Sequence, residues 1–311
     1  MKVASTDLFN AAQVATRWGR WLDFPLLRIP VAFLFLAPVV AGHNLLMIFV
    51  VEKLAQPWFA ICRDCLFVVE PMVFILLYRW YVRRIEKRRP LEVSFDGAAG
   101  EFGAGALMSL GIVGIAVLAL VAAGSYRIES LNNPWTIVHA FAVFTSGALI
   151  QVLIFRLILF RLCEELLGTW ISVAVIALIF ASAHMANPNA SAISFAALAG
   201  SDILLFAGFV LTRRLWLVWG IHAGWNFFQD GLFGMPNSGV TELPSWIVPE
   251  IGGPAWLSGG TFGIEASVGG IALPLMTGIM LFVIAAKRNQ IVLPRWIRNR
   301  LAQAQGMYSH R

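Results

Sequence analysis

The sequence predicts an all-α protein, a polytopic transmembrane helix bundle of about eight spans with both termini cytoplasmic. Three observations lead there. Of 311 residues, 59% are hydrophobic and only 13% charged, with a mean hydropathy of +0.76, a balance outside the range of soluble domains. Apolar runs recur near the ~20 residues that a helix needs to cross a bilayer. The basic residues, which give a net charge of +6, gather in short clusters between those runs, as they do when they orient helices in a membrane. That clustering argues against nucleic acid as the partner and for the lipid bilayer.

The eight runs lie at about 28–51, 60–82, 103–124, 136–165, 170–187, 191–212, 215–233 and 264–286. His43 and Asn44 weaken the first, and Asp64 and Glu70 the second, so seven spans is the alternative count. With the N-terminus inside, Lys2, Arg17, Arg20, the RRIEKRR stretch at 83–89, Arg161, Arg213, Arg214 and the basic tail to Arg311 all fall on the cytoplasmic side. Lys53, Arg63 and Arg127 are left outside, which is the asymmetry that the positive-inside rule requires. No internal repeat or linker divides residues 1–311, which read as a single integral-membrane domain. The Gly-, Pro- and Ser-rich segment 234–263 reads as an irregular outer loop. The first twenty residues lack the apolar core of a signal peptide. Cys62 and Cys65 form a lone CxxC with no second ligand pair and are expected to be inert.

Ionisable side chains inside a bilayer are costly and mark sites or pathways. Glu70, His139, Arg156, Arg161, Glu164, Glu165, His184, Asp202, His222 and Asp230 are of this kind, with Gln151 and Asn226 as uncharged partners. Three patterns stand out: the acidic RLCEELLGTW at 161–170, FASAH ending at His184, and HAGWN from His222 to Asn226. In the last, i,i+4 spacing puts an imidazole and an amide on one helix face.

A glutamate pair with arginine, then FxxxH, then HxxxN on successive membrane helices resembles the signature of the CPBP (Abi) intramembrane metalloproteases, which include the CAAX prenyl endopeptidases. The texture of FRLILFRLCEELLGTW, HMANPNAS and LTRRLWLVWGIHAGWNFFQDGLFGMPNSG, within a core of about 136–239, is similar to the bacterial branch. The resemblance implies a bacterial inner (plasma) membrane, a general-base glutamate acting on water, and histidines that hold a metal such as zinc.

Two registers compete for the glutamate pair. Taking it as Glu164-Glu165 puts Thr169 where the motif wants arginine, whereas anchoring on Phe155-Arg156 puts Gln151 and Val152 at the acidic positions. Depth decides between them. Gly168 separates two long apolar helices and is a natural terminator. His184 lies ~24 Å along the axis beyond that turn, but Glu164 only ~6 Å before it, at 1.5 Å per residue. Their depths differ by ~18 Å, against a metal–ligand bond of ~2 Å. The residue level with His184 on the preceding helix is Gln151 or Val152. Glu164 and Glu165 become residues near the cytoplasmic turn, solvated or paired with Arg161 or a lipid headgroup.

In this register, as the resemblance implies, Arg156 and Asn226 remain as catalytic groups and His184 and His222 as metal ligands, if metal is bound at all. The base is missing: Gln151 cannot take a proton from water at neutral pH, and Val152 can neither ligate nor ionise. Two histidines fall short of the three protein ligands usual for catalytic zinc. The favoured expectation is a pseudoenzyme that binds a hydrophobic or lipidated peptide or protein partner. The alternatives are an active metalloendopeptidase that recruits Asp202, Asp230 or Glu70 as a substitute carboxylate, and a transporter.

Overall fold

The computed structural model of the chain describes residues 5–9, 24–241 and 245–308. Lys2, Arg17, Arg20 and Arg311, which enter the orientation argument, lie outside the described residues, as do 242–244 of the segment 234–263. Each predicted apolar run is helical. In chain order these are α1 (Arg28–Phe49), α2 (Trp58–Arg84), α3 (Ala98–Ala122), α4 (Trp135–Val152), α5 (Arg161–Ala183), α6 (Ala192–Ser201), α7 (Ile203–Thr212) and α8 (Leu215–Asn226). A one-turn α9 (Ala255–Ser258), α10 (Val268–Lys287) and α11 (Arg295–Tyr308) complete the set. Among the described residues, five continuous helical stretches are long and apolar enough to cross a bilayer, the longest running from Trp135 to Ala186. This is an all-α membrane bundle.

That longest stretch does not run straight. Gly168 breaks it with φ 74° and ψ 172°, a conformation that only glycine adopts without strain. The break is also crowded: a Cβ at Gly168 would lie 2.7 Å from the Pro294 nitrogen and 2.8 Å from the Val292 oxygen. The chain then folds back on itself, so that the rings of Phe155 and Phe180 meet edge to face at 5.0 Å. Residues equidistant from the break therefore lie side by side, as the depth count anticipates.

The centre of the bundle is the pair α3 and α8, whose backbones nearly touch. A Cβ at Gly220 would come 2.1 Å from the Phe102 carbonyl oxygen, one at Gly224 2.9 Å from Ala106 Cα, and one at Gly105 2.3 Å from the Leu217 oxygen. Gly220 and Gly224 are a small-xxx-small pair of the kind that lets membrane helices approach closely, and His222 lies between them. Ser109 Oγ donates to the Ile221 carbonyl at 2.6 Å, which ties the two helices at that level.

The segment 234–263 departs from the irregular loop expected of it. It contains β2 (Ile247–Ile251), paired antiparallel with β1 (Tyr126–Leu131), together with α9. The two strands are far apart in sequence, and the β1 stretch YRIESL is too short to announce a sheet when read alone. Tyr126, whose hydroxyl donates to the Phe233 carbonyl at 2.7 Å, pins this two-stranded sheet to the end of the helical stretch that continues α8.

The predicted environment of Glu164 and Glu165 also needs correction. Glu164 is not solvated, Glu165 is half-buried, and among the described residues neither makes an ion pair with Arg161. Glu164 is fully buried and ion-paired with Arg213, and it accepts a hydrogen bond from Thr169 Oγ1 at 2.5 Å. Glu165 pairs with Arg28 at 3.3 Å. Arg161 belongs to Glu86. The physical reason is burial: an unpaired carboxylate away from water is expensive, and basic residues from distant parts of the chain reach the turn to neutralise it.

Candidate functional site

Two segments beside the motif residues are wound as π-helix, Leu153–Phe160 after α4 and Phe227–Leu232 after α8. Such windings are rare and frequent at functional sites. They flank a cavity of about 280 Å³. Gln151 reaches it from the end of α4, His184 from just past α5, Asp202 from the α6–α7 junction, His222 and Asn226 from α8, and Asp230 from the second π-helical segment.

Phe180 organises the histidines. Its ring lies 4.4 Å from that of His184 and 6.3 Å from that of His222. His184 Nδ1 lies 2.8 Å from the Phe180 carbonyl oxygen; because a carbonyl only accepts, Nδ1 carries the proton and Nε2 keeps its lone pair. His222 is buried, and its Nδ1 has no hydrogen-bond partner among the described residues. The Gln151 Oε1 is likewise buried without a partner.

Arg156 lies behind this group, wholly buried, its guanidinium 5.1 Å from the centroid of Phe180 and 4.5 Å from that of Phe206. Its charge is matched by an ion pair with Asp202. Cation–π contact on two rings plus a carboxylate makes this arginine a fixed post rather than a free donor.

Of the residues singled out in the sequence, Gln151, His184, His222, Asn226, Asp202 and Asp230 line one cavity, with Arg156 held against it through Asp202. Val152 does not join them: it is fully buried in the hydrophobic core. Glu70 lies elsewhere, accepting from Ser146 Oγ at 2.6 Å and lying 3.4 Å from His43. Glu265 was not foreseen. It lines the cavity, buried, and accepts from the Ser238 amide at 2.8 Å, from Ser238 Oγ at 3.0 Å and from Trp225 Nε1 at 3.3 Å. The available signal was an acidic residue two positions before Ser267, the cap of the last apolar helix, at the edge of a span where charge needs a reason.

Residues 133–228 match the family model of the Rce1-like type II CAAX prenyl endopeptidases. Over that segment this membrane protein is similar to the CAAX endopeptidases. No curated protein and no solved structure gave a match. The matched segment contains Gln151, Arg156, His184, Asp202, His222 and Asn226, and ends before Asp230 and Glu265.

The donor set of this CAAX-endopeptidase-like core was tested against a catalytic metal. It offers two imidazoles, the carboxamides of Gln151 and Asn226, and a carboxylate, Asp202, already held by Arg156. Among the described residues no group of three or more His, Cys, Asp and Glu side chains could hold a metal ion. The three protein ligands that catalytic zinc usually takes are not assembled, and no step through a metal follows from this arrangement.

Proposed function

We propose that this CAAX-endopeptidase-like protein binds a hydrophobic or lipidated peptide or protein chain in its intramembrane cavity without the family's efficient hydrolysis, in a bacterial inner membrane with both termini cytoplasmic. One observation carries the reading. Gln151 lines the cavity with His184, where the general base should stand, and an amide cannot accept a proton from water at neutral pH. Val152, the other acidic position of the motif, is buried away from the cavity. The alternative, a recruited carboxylate, draws less support. Asp202 is neutralised by Arg156, Glu70 is outside the cavity, and Asp230 follows His222 by eight residues, ~12 Å along a helix.

The binding side of the proposal rests on the lining. Phe144, Phe180, Leu198, Leu204, Leu205 and Ile221 surround the polar groups, and a mostly apolar cavity with a few placed polar atoms is the usual form of a ligand site. The experiment uses the purified full-length protein and a farnesylated peptide with a three-residue extension. Expected are saturable binding and no release of the tripeptide. Cleavage by the wild-type protein, abolished by His184→Ala, would overturn the proposal.

A further inference from the structure

The cavity is electrically lopsided. At the His184 end, the single arginine is matched by Asp202. The lining also holds two further carboxylates, Asp230 and Glu265, and no lysine or arginine. Asp230 is 5% exposed, lines the cavity, and has neither a hydrogen bond nor an ion pair to its side chain among the described residues. Glu265 is 4% exposed, and its three donors, two from Ser238 and one from Trp225, are all neutral. Neutral donors fix the direction of a carboxylate but do not cancel its charge, and a buried unmatched charge is among the costliest features a protein can retain.

A ligand that removed this cost would bring a positive charge. The surroundings say which kind. About 280 Å³ is far more than the ~30 Å³ that one water occupies in the liquid, so a bare metal ion would leave most of the space empty. Trp225 lines the cavity with its Nε1 on Glu265, and an aromatic side chain near carboxylates suits an ammonium group. From there the wall turns apolar, through Leu198, Leu204, Leu205 and Ile221.

We propose that the cavity binds an amphiphile with an ammonium head, the cation seated between Asp230 and Glu265 and the apolar body lying along the leucine-lined wall. The inference rests on the reading of this cavity as a binding site for a hydrophobic chain, and it names the chemistry of that chain's head. Both acids lie outside the segment that matches the CAAX endopeptidases, so this end of the cavity is a feature of this chain beyond the matched core.

The test compares dodecylamine with dodecanol on the purified full-length protein in a neutral detergent, by calorimetry and by tryptophan fluorescence. Zinc chloride alone is a third probe. The amine is expected to bind the wild type at least about tenfold more tightly than the alcohol, a free-energy difference of one decade in affinity. Asp230→Asn should lower the amine to the level of the alcohol and leave the alcohol unchanged. The Asp230 side chain makes no hydrogen bond among the described residues, so this variant should fold; Glu265→Gln, which keeps the shape, should act in the same direction, and Asp230→Glu should retain the preference. Equal affinity for amine and alcohol in the wild type would mean that the acids carry protons, and would overturn the ammonium head while leaving the apolar site intact. Binding of neither amphiphile would overturn the site itself. Zinc held through Asp230 with no preference for the amine would make this a metal site and also overturn the proposal.

Discussion

Two regions of the molecule treat buried charge in opposite ways. Around the Gly168 turn, acids meet bases. Arg161 pairs with Glu86, Arg88 bridges Glu86 at 2.7 Å and Glu92, and Tyr78 donates to Glu92 at 2.7 Å. Glu164 holds Arg213, and Glu165 holds Arg28. In the cavity, the buried Gln151 oxygen and His222 Nδ1 have no partner among the described residues, and Asp230 lines it without an ion pair among them. Polar groups that satisfy one another hold the fold. Those left open in the cavity are where a ligand can return the stability that an unsatisfied buried group costs.

The contrast predicts opposite responses to mutation. The largest effect belongs to the turn: Glu164→Ala leaves Arg213 buried without its acid and should cost about 3–5 kcal/mol, read as a collapse of thermal stability in detergent. Next comes the α3–α8 contact, where Gly220→Ala drives a methyl into the Phe102 carbonyl and should cost roughly 1–3 kcal/mol by overpacking. If Glu164→Ala unfolds like the wild type, the paired layer is not what holds the bundle; if Gly220→Ala does, the α3–α8 contact is not.

A pH titration sharpens the same comparison. Burial alone would raise the Glu86 carboxyl, but Arg161 and Arg88 outweigh it and hold it down from 4.5 to about 2. A carboxyl held low in the folded state contributes stability that is complete above its ordinary value and is lost as the pH falls through the folded value. Unfolding should therefore become easier between about pH 4.5 and 2, and Glu86→Gln should flatten that part of the profile. The smallest effect on stability belongs to the cavity. Asp230→Asn removes a charge that nothing pairs, and its melting temperature should stay level or rise.

The sequence carried much of this layout. Hydrophobic runs located the helices because a bilayer tolerates little else. Counting residues from Gly168 put Gln151 level with His184, and the Phe155–Phe180 contact and the shared cavity agree with that count. Partner identity was less legible. Arg213 and Arg28 reach Glu164 and Glu165 from 49 and 137 residues away, and separation of that kind leaves no local pattern. Glu265 was missed for the same reason: its place depends on the segment after α8, which carries β2 back to pair with β1 and Ser238 to Glu265, and not on the period of any helix.

The central claim is that the cavity retains the family's frame but lacks its base. The most direct measurement is made on the variant Gln151→Glu, scoring zinc content and cleavage of a farnesylated peptide together against the wild type. The account predicts neither in the wild type and the appearance of both in the variant. Stoichiometric zinc and cleavage in the wild type, with no gain in the variant, would contradict it.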